Sequence, residues 1–136
     1  MVNVLVVDDD DASRESICRG LANSDIKFAI TCAEDGREAL EILRGQSPGK
    51  HVEMPVMVLL DLEMPRMNGF AFLDELRADP KLKNAPVFIL SSSDAIEDKA
   101  RALSGATSGY LVKSEMGAGY KKLPTLLESF LDSLEF

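Results

Sequence analysis

The chain has 136 residues, of which 46% are hydrophobic and 28% are charged. This length suits one domain that buries roughly two-thirds of the unfolded-chain surface, and the composition excludes a disordered or collagen-like chain. The formal net charge of -8 disfavours binding to nucleic acid or anionic membranes, and no run approaches the ~20 apolar residues of a membrane span, so we expect a cytoplasmic protein.

Short apolar runs alternate with segments of helical periodicity along the whole sequence. In chain order the predicted elements are a strand at 2–7, a helix at 12–24, a strand at 26–33, a helix at 34–45, a strand at 55–61, a helix at 69–80, a strand within 85–94, a helix at 94–106, a strand at 108–113 and a helix at 123–136. Strands that alternate with helices require right-handed crossovers and a parallel sheet covered on both faces. The sequence therefore predicts an α/β, doubly wound domain with five strands.

Apolar residues at helical spacing predict which helix faces contact the sheet. These residues are Ile17 and Leu21 in the first helix, Ala39, Leu40 and Leu43 in the second, Phe70, Leu73 and Leu76 in the third, and Leu123, Leu127, Phe130, Leu131 and Leu134 in the last. Gly45 follows the second helix, where a glycine commonly ends a helix.

The cysteines and the histidine do not have the spacing of a metal or catalytic site. Cys18 and Cys32 lie in a predicted helix and a predicted strand, so we interpret both as reduced, packing thiols. His51 lies in the loop SPGKHVEMP, and we expect its side chain to be solvated.

Polar residues follow the strands at the ends where ligands bind in open parallel sheets. These residues are Asp8 and Asp9 after the first strand, Asp61 after the third, Ser91, Ser92 and Ser93 at the fourth, and Lys113 at the fifth. If the first and third strands are neighbours, three carboxylates meet at one edge, and their repulsion favours a bound cation. Mg²⁺ fits best because it prefers oxygen ligands and is often bound by one or two carboxylates together with a phosphate.

This set of residues fits phosphoryl transfer. Lys113 can neutralise phosphoryl oxygens, and the Ser91 hydroxyl can donate a hydrogen bond to them. Asp61 can act as a nucleophile and form an acyl phosphate, so no histidine is needed. Asp10 and Asp11 instead belong to the start of the following helix, where they cap and charge its N-terminus.

Four segments, in order and over essentially the entire chain, resemble the receiver domain of two-component response regulators. They are VLVVDDDDASRE, VLLDLEMPRMNGFAFL, PVFILSSSD and SGYLVK. The resemblance implies a flavodoxin-like fold with strand order 2-1-3-4-5 and helices on both faces. It also implies one receiver domain over residues 1–136, with no output domain.

By this resemblance, Asp61 is the phosphoacceptor and receives its phosphoryl group from the phosphohistidine of a sensor histidine kinase. Asp61 and Asp9 would ligate Mg²⁺ directly, Asp8 would do so through water, and the Glu63 backbone carbonyl would complete the protein ligands. Glu63 and Ser93 would border the path of water to the phosphoryl group. Our hypothesis is that Glu63 affects the lifetime of the acyl phosphate, which an unchanged dephosphorylation rate in Glu63→Asn would contradict.

The resemblance also implies a conformational switch. Ser91 would move toward the phosphoryl group, Tyr110 would turn inward, and Lys113 would pair with the phosphate. The surface of the fourth predicted helix, fifth strand and last helix would then be reshaped.

One position departs from the family pattern, because Ser114 follows the lysine where the family usually has proline. Lys-Ser at this point, the long loop before the third strand and DPKLKNAPV before the fourth are similar to the small regulators partnered with bacterial phytochromes.

Three classes of function remain open from the sequence. The leading one is a single-domain response regulator, a phosphoprotein that catalyses only its own phosphorylation and dephosphorylation. It would bind a downstream target or pass its phosphoryl group to a phosphotransfer protein, and it could also form a homodimer. The alternatives are a Mg²⁺-dependent phosphatase with an aspartyl-phosphate intermediate, whose acid pair Asp8 and Asp10 imitate, and a binding-only pseudo-receiver.

Overall fold

The computed structural model describes residues 2–62, 64, 68–92, 97, 99–101 and 107–133, with side chains described as far as residue 130. Five parallel strands form one sheet in the order β2-β1-β3-β4-β5. They are β1 (Val2–Val7), β2 (Phe28–Ala33), β3 (Val56–Leu60), β4 (Val87–Ser91) and β5 (Gly109–Val112). The predicted strand order and fold class are confirmed.

Helices cover both faces of this sheet. They are α1 (Asp11–Ala22), α2 (Gly36–Leu43), α3 (Gly69–Ala78) and a C-terminal helix (Leu123–Ser133). Within the predicted helix 94–106, the described residues 97 and 99–101 are helical, and the rest lie outside the described residues. Leu134 and the side chain of Leu131 lie outside them as well. Among the helices in the described part of the chain, none has the length and apolarity required to cross a membrane.

Alternate residues of each central strand point into separate hydrophobic cores on the two faces of the sheet. Leu5 and Val7 contribute to the core beneath α2 and α3, whereas Val4 and Val6 contribute to the core beneath α1 and the C-terminal helix. β3 and β4 are buried along their whole length, which explains why their sequences are continuously apolar.

The inner face of α3 differs in one residue from the expectation. Phe72 is fully buried, together with Leu73 and Leu76, whereas Phe70 is only partly buried. The buried positions follow Gly69 at intervals of three, four and seven residues, which defines one helix face. Phe70 lies beside that face, and the guanidinium carbon of Arg101 is 4.0 Å from the centre of its ring.

Side-chain caps fix the starts of the first three helices. Asp10 accepts a hydrogen bond from the backbone of Ala12 at α1, and Asp35 and Asn68 make the equivalent contacts at α2 and α3. The prediction that Asp10 begins a helix is thus confirmed. Gly45 has a φ of 72°, as expected for a glycine just after a helix.

Two short 3-10 turns, Lys113–Glu115 and Ala118–Tyr120, connect β5 to the C-terminal helix. Gly117 and Gly119 adopt positive φ in this connection. The chain therefore makes two turns between β5 and the C-terminal helix. Ser114, which stands where the family usually has proline, lies in the first of these turns.

Candidate functional site

The register of the sheet brings Asp8 and Asp61 side by side. Val7 of β1 pairs with Leu60 of β3, and the Asp61 amide donates to the Val7 carbonyl over 2.9 Å. The next residue on each strand is therefore an aspartate at the same edge. Carboxylate oxygens of Asp8, Asp9 and Asp61 lie within 4.8 Å of one another, so the predicted acidic cluster exists among the described residues.

Asp8 is held more tightly than its neighbour in the sequence. Its side chain is buried; Oδ1 accepts from the Asp10 amide over 3.0 Å, and Oδ2 accepts from the Ser13 hydroxyl over 2.9 Å. Asp9 is exposed. The two consecutive aspartates thus differ, since one has a fixed carboxylate and the other faces solvent.

Lys113 supplies the positive charge of the site. Its Nζ lies 2.8 Å from Asp8 Oδ2 and 3.6 Å from Asp61 Oδ2. Burial acts to lower the pKa of Lys113, but the hydrogen bond to Asp8 and the negative charges of Asp61 and Asp8 outweigh burial and raise this pKa above its ordinary value. The lysine therefore stays protonated at neutral pH and neutralises part of the cluster.

Ser91 and Tyr110 occupy adjacent strands next to this lysine. Ser91 ends β4, is buried, and pairs in register with Val112, the residue before Lys113. Tyr110 lies in β5, is partly buried against the core beneath α2 and α3, and has the Lys99 ammonium 5.9 Å from its ring centre. Glu63 and Ser93, the predicted rate-tuning residues, lie outside the described residues.

Two residues of α1 contact the site and were missed in the sequence. In addition to the Ser13 contact, the Arg14 guanidinium donates to the Asp8 backbone carbonyl over 2.6 Å. Both residues lie in the first turn of α1, directly after the strand end. A polar residue in the first turn of a helix that follows a site aspartate is the sequence signal that could have identified them.

This arrangement is suited to a hard divalent cation. The three carboxylates offer oxygen ligands at one edge of the sheet, and one of them is open to solvent. Lys113 and Arg14 together do not balance the three carboxylates, so a divalent cation would reduce the remaining repulsion. His51 is not part of the site: it is exposed, and its Nε2 lies 3.2 Å from Glu53 Oε1.

Comparison with known proteins agrees with this geometry. The family model for the response regulator receiver domain matches residues 4–120. The chain belongs to this family. It is accordingly a receiver domain of the kind found in two-component signalling.

Similar sequences include two response regulators. MprA of Mycolicibacterium vanbaalenii is 33% identical to this receiver domain over 112 residues, which are 82% of this chain and 44% of MprA. The chain thus spans less than half the length of that relative. Rcp1 of Synechocystis is 29% identical over 127 residues, which cover 93% of this chain and 86% of Rcp1.

Solved structures of response regulators superimpose closely on this receiver domain. The phosphorylated cyanobacterial phytochrome response regulator RcpA has a TM-score of 0.82 and 28% identity, and the match covers 99% of this chain and 96% of RcpA. A Mn²⁺-bound form of response regulator Rcp1 has a TM-score of 0.80 and 27% identity, with 96% and 94% covered. A relative of this fold and size therefore binds a divalent metal.

Proposed function

We propose that this receiver domain accepts a phosphoryl group on Asp61 from a sensor histidine kinase, with Mg²⁺ as its cofactor. The observation that carries the proposal is the cluster of Asp8, Asp9 and Asp61 with Lys113 at one edge of the sheet. The carboxylates supply a nucleophile and metal ligands, and the lysine supplies a fixed positive charge near the acceptor.

The contacts of the three aspartates support different roles toward the metal. Both oxygens of Asp8 already accept hydrogen bonds, so Asp8 is suited to bind Mg²⁺ through water. Asp9 is exposed and Asp61 directly follows β3, and each has a carboxylate oxygen in the cluster, so we propose these two as the direct ligands. One oxygen from each carboxylate lies within 4.8 Å of the others, so the three residues could act on one cation. The Glu63 backbone carbonyl is the proposed fourth protein ligand.

The remaining residues would act on the phosphoryl group after transfer. Lys113 would pair with a phosphoryl oxygen, and the Ser91 hydroxyl would donate to another. Ser91 and Tyr110 would form the switch, since they lie on the neighbouring strands β4 and β5 beside the lysine. Glu63 and Ser93 are proposed to set the lifetime of the acyl phosphate.

The output is proposed to be protein binding in the cytoplasm through the surface of the receiver itself. A phosphoryl group on Asp61 would change the affinity of this surface for a downstream target, or the group would pass to a phosphotransfer protein. The likeness of the whole fold to RcpA supports a kinase partner of the phytochrome class. A homodimer is a further proposed partner, and catalysis would be limited to the protein's own phosphorylation and dephosphorylation.

A phosphatase that uses Asp8 and Asp10 as nucleophile and proton donor has less support. The Asp8 carboxylate is buried and paired with Lys113, and Asp10 caps α1 through its side chain. The Asp8 carboxylate is therefore poorly placed to act as a nucleophile, and one Asp10 oxygen already accepts a hydrogen bond at the start of α1.

Intact mass after incubation with acetyl phosphate and Mg²⁺ tests the proposal. The expected result is one phosphate adduct in the wild type, none in Asp61→Asn, and none when EDTA removes the metal. Asp25→Asn, at an exposed position after α1, is the matched control and should be phosphorylated normally. The absence of an adduct in the wild type, or an unchanged adduct in Asp61→Asn, would refute the assignment.

A further inference from the structure

The two cysteines of the sequence lie against each other, on the α1 side of the sheet. Cys18 of α1 and Cys32 of β2 are 14 positions apart in the sequence, and their sulfur atoms are 3.3 Å apart. Both side chains are only partly buried, and β2 is an edge strand of the sheet. The sequence predicted two reduced, packing thiols and did not indicate that they are in contact.

The surroundings of the pair favour a thiolate at Cys32. The pKa of Cys32 is lowered to about 7: the hydrogen bond from Cys18 lowers it most, burial and Glu38 act to raise it, and the charges of Arg14 and Lys50 also lower it. The Lys50 ammonium also donates to the Cys32 backbone carbonyl over 2.8 Å. The same hydrogen bond and burial raise the pKa of Cys18, which stays protonated beside the thiolate.

This pattern differs from that of two inert core thiols. A buried structural cysteine is unreactive, whereas a partly exposed thiolate near positive side chains is a nucleophile. A second thiol in contact with that sulfur can complete a disulfide before the first is oxidised further. The two sulfurs must approach by roughly 1.3 Å to reach disulfide bond length, which is within the range of side-chain rotation.

We propose that Cys18 and Cys32 are a redox modification site, at which a hydroperoxide forms a reversible intramolecular disulfide between α1 and β2. The Cys32 thiolate attacks the terminal oxygen of the hydroperoxide; the O–O bond breaks, and a sulfenic acid forms with release of hydroxide from hydrogen peroxide or alkoxide from an organic hydroperoxide. The Cys18 sulfur then attacks the Cys32 sulfur, the S–O bond breaks, and its proton leaves with the departing hydroxide as water. The two thiols lose two electrons in total, and the peroxide gains them.

The disulfide would join α1 to β2, beside the sheet edge that carries Asp8 and Asp61, without involving these carboxylates. Arg14, one helical turn before Cys18, donates to the Asp8 carbonyl. The disulfide would therefore restrain α1, the helix that contacts Asp8. The proposal concerns the thiols alone, and it does not depend on phosphorylation of the protein.

The test is peroxide treatment of the full chain at neutral pH, followed by alkylation of free thiols and intact mass. The expected product is a monomer lighter by two hydrogen atoms that takes up no alkyl group, and dithiothreitol should restore two alkylatable thiols. Cys18→Ser should instead retain an oxygen atom on Cys32 that reacts with dimedone. Cys32→Ser should react with peroxide more slowly than the wild type.

Three results would each overturn the proposal in the wild type. They are two alkylatable thiols after peroxide treatment, oxygen addition without a disulfide, and a covalent dimer as the main product. Circular dichroism of the oxidised wild type distinguishes a disulfide in the folded protein from one formed after unfolding. A folded spectrum is expected, and an unfolded one would contradict the assignment. The wild-type result does not require the variants to fold.

Discussion

Replacing Lys113 by methionine removes the positive charge from the acidic site and keeps an unbranched side chain of similar length. Lys113 is 17% exposed and its partner Asp8 only 2%, so their 2.8 Å contact is a buried ion pair. Removal of one partner of such a pair costs roughly 3 to 5 kcal/mol, because the other charge is left buried. Asp8 keeps its bonds to Ser13 and Asp10, so we expect the lower value, about 3 kcal/mol.

The loss of stability in Lys113→Met should depend on whether Mg²⁺ is bound. Without Mg²⁺ the variant has three carboxylates and no ammonium between Asp8 and Asp61, with only Arg14 close by at the Asp8 carbonyl among the described residues, whereas bound Mg²⁺ would replace part of the missing charge. We therefore expect Mg²⁺ to recover about 1 to 2 kcal/mol of the loss, which corresponds to roughly 5- to 30-fold tighter Mg²⁺ binding by the variant. Phosphorylation by acetyl phosphate should nevertheless be slower, because the charge that we propose to pair with the phosphate is gone.

Urea denaturation in EDTA and in saturating Mg²⁺, at matched ionic strength, measures both quantities. Lys50→Met is the matched control, since Lys50 pairs with Glu38 at the surface and should change stability by less than about 1 kcal/mol in either buffer. Equal destabilisation of Lys113→Met in EDTA and Mg²⁺ would show that the lysine does not share the carboxylates with a metal.

Three other changes test different parts of the structure. Gly69→Ala should destabilise the fold by about 1 to 3 kcal/mol and slow phosphorylation, since a Cβ there would lie 2.6 Å from the Asp61 carbonyl oxygen; unchanged kinetics would contradict this. Ser13→Ala removes a donor from the buried Asp8 carboxylate and should cost about 1.5 to 3 kcal/mol in urea denaturation. The rate of Cys32 alkylation should be half-maximal near pH 7 and higher above it. Cys18→Ala should move this midpoint to higher pH, because it removes the hydrogen bond that lowers the pKa of Cys32.

The strands and the acidic edge of the sheet could be predicted from the sequence because burial and charge restrict which residue types can occupy these positions. A parallel strand buried on both faces must be continuously apolar, as β3 is, and carboxylates at adjacent strand ends need a common neutralising partner. The register of β1 and β3 then confirmed that Asp8 and Asp61 are neighbours.

Other features depend on side-chain direction, which sequence spacing does not determine. Phe70 and Phe72 are equally apolar, and only the helix orientation shows that Phe72 is the one in the core. The contact of Cys18 with Cys32 joins a helix and a strand, and neither pattern alone indicates that their sulfurs meet. Only the packing of α1 against β2 in the structure shows that the two sulfurs are in contact.

The ion pair between Lys113 and Asp8 also has a kinetic consequence, because it joins residues 105 positions apart. Such a contact closes a large loop and can stabilise the chain only after β5 has joined the sheet edge. Its loss should therefore speed unfolding more than it slows refolding. A partly folded chain that has β1 and β3 but not β5 would hold Asp61, the proposed acceptor, without Lys113, so the full rate of phosphorylation would mark the completion of folding.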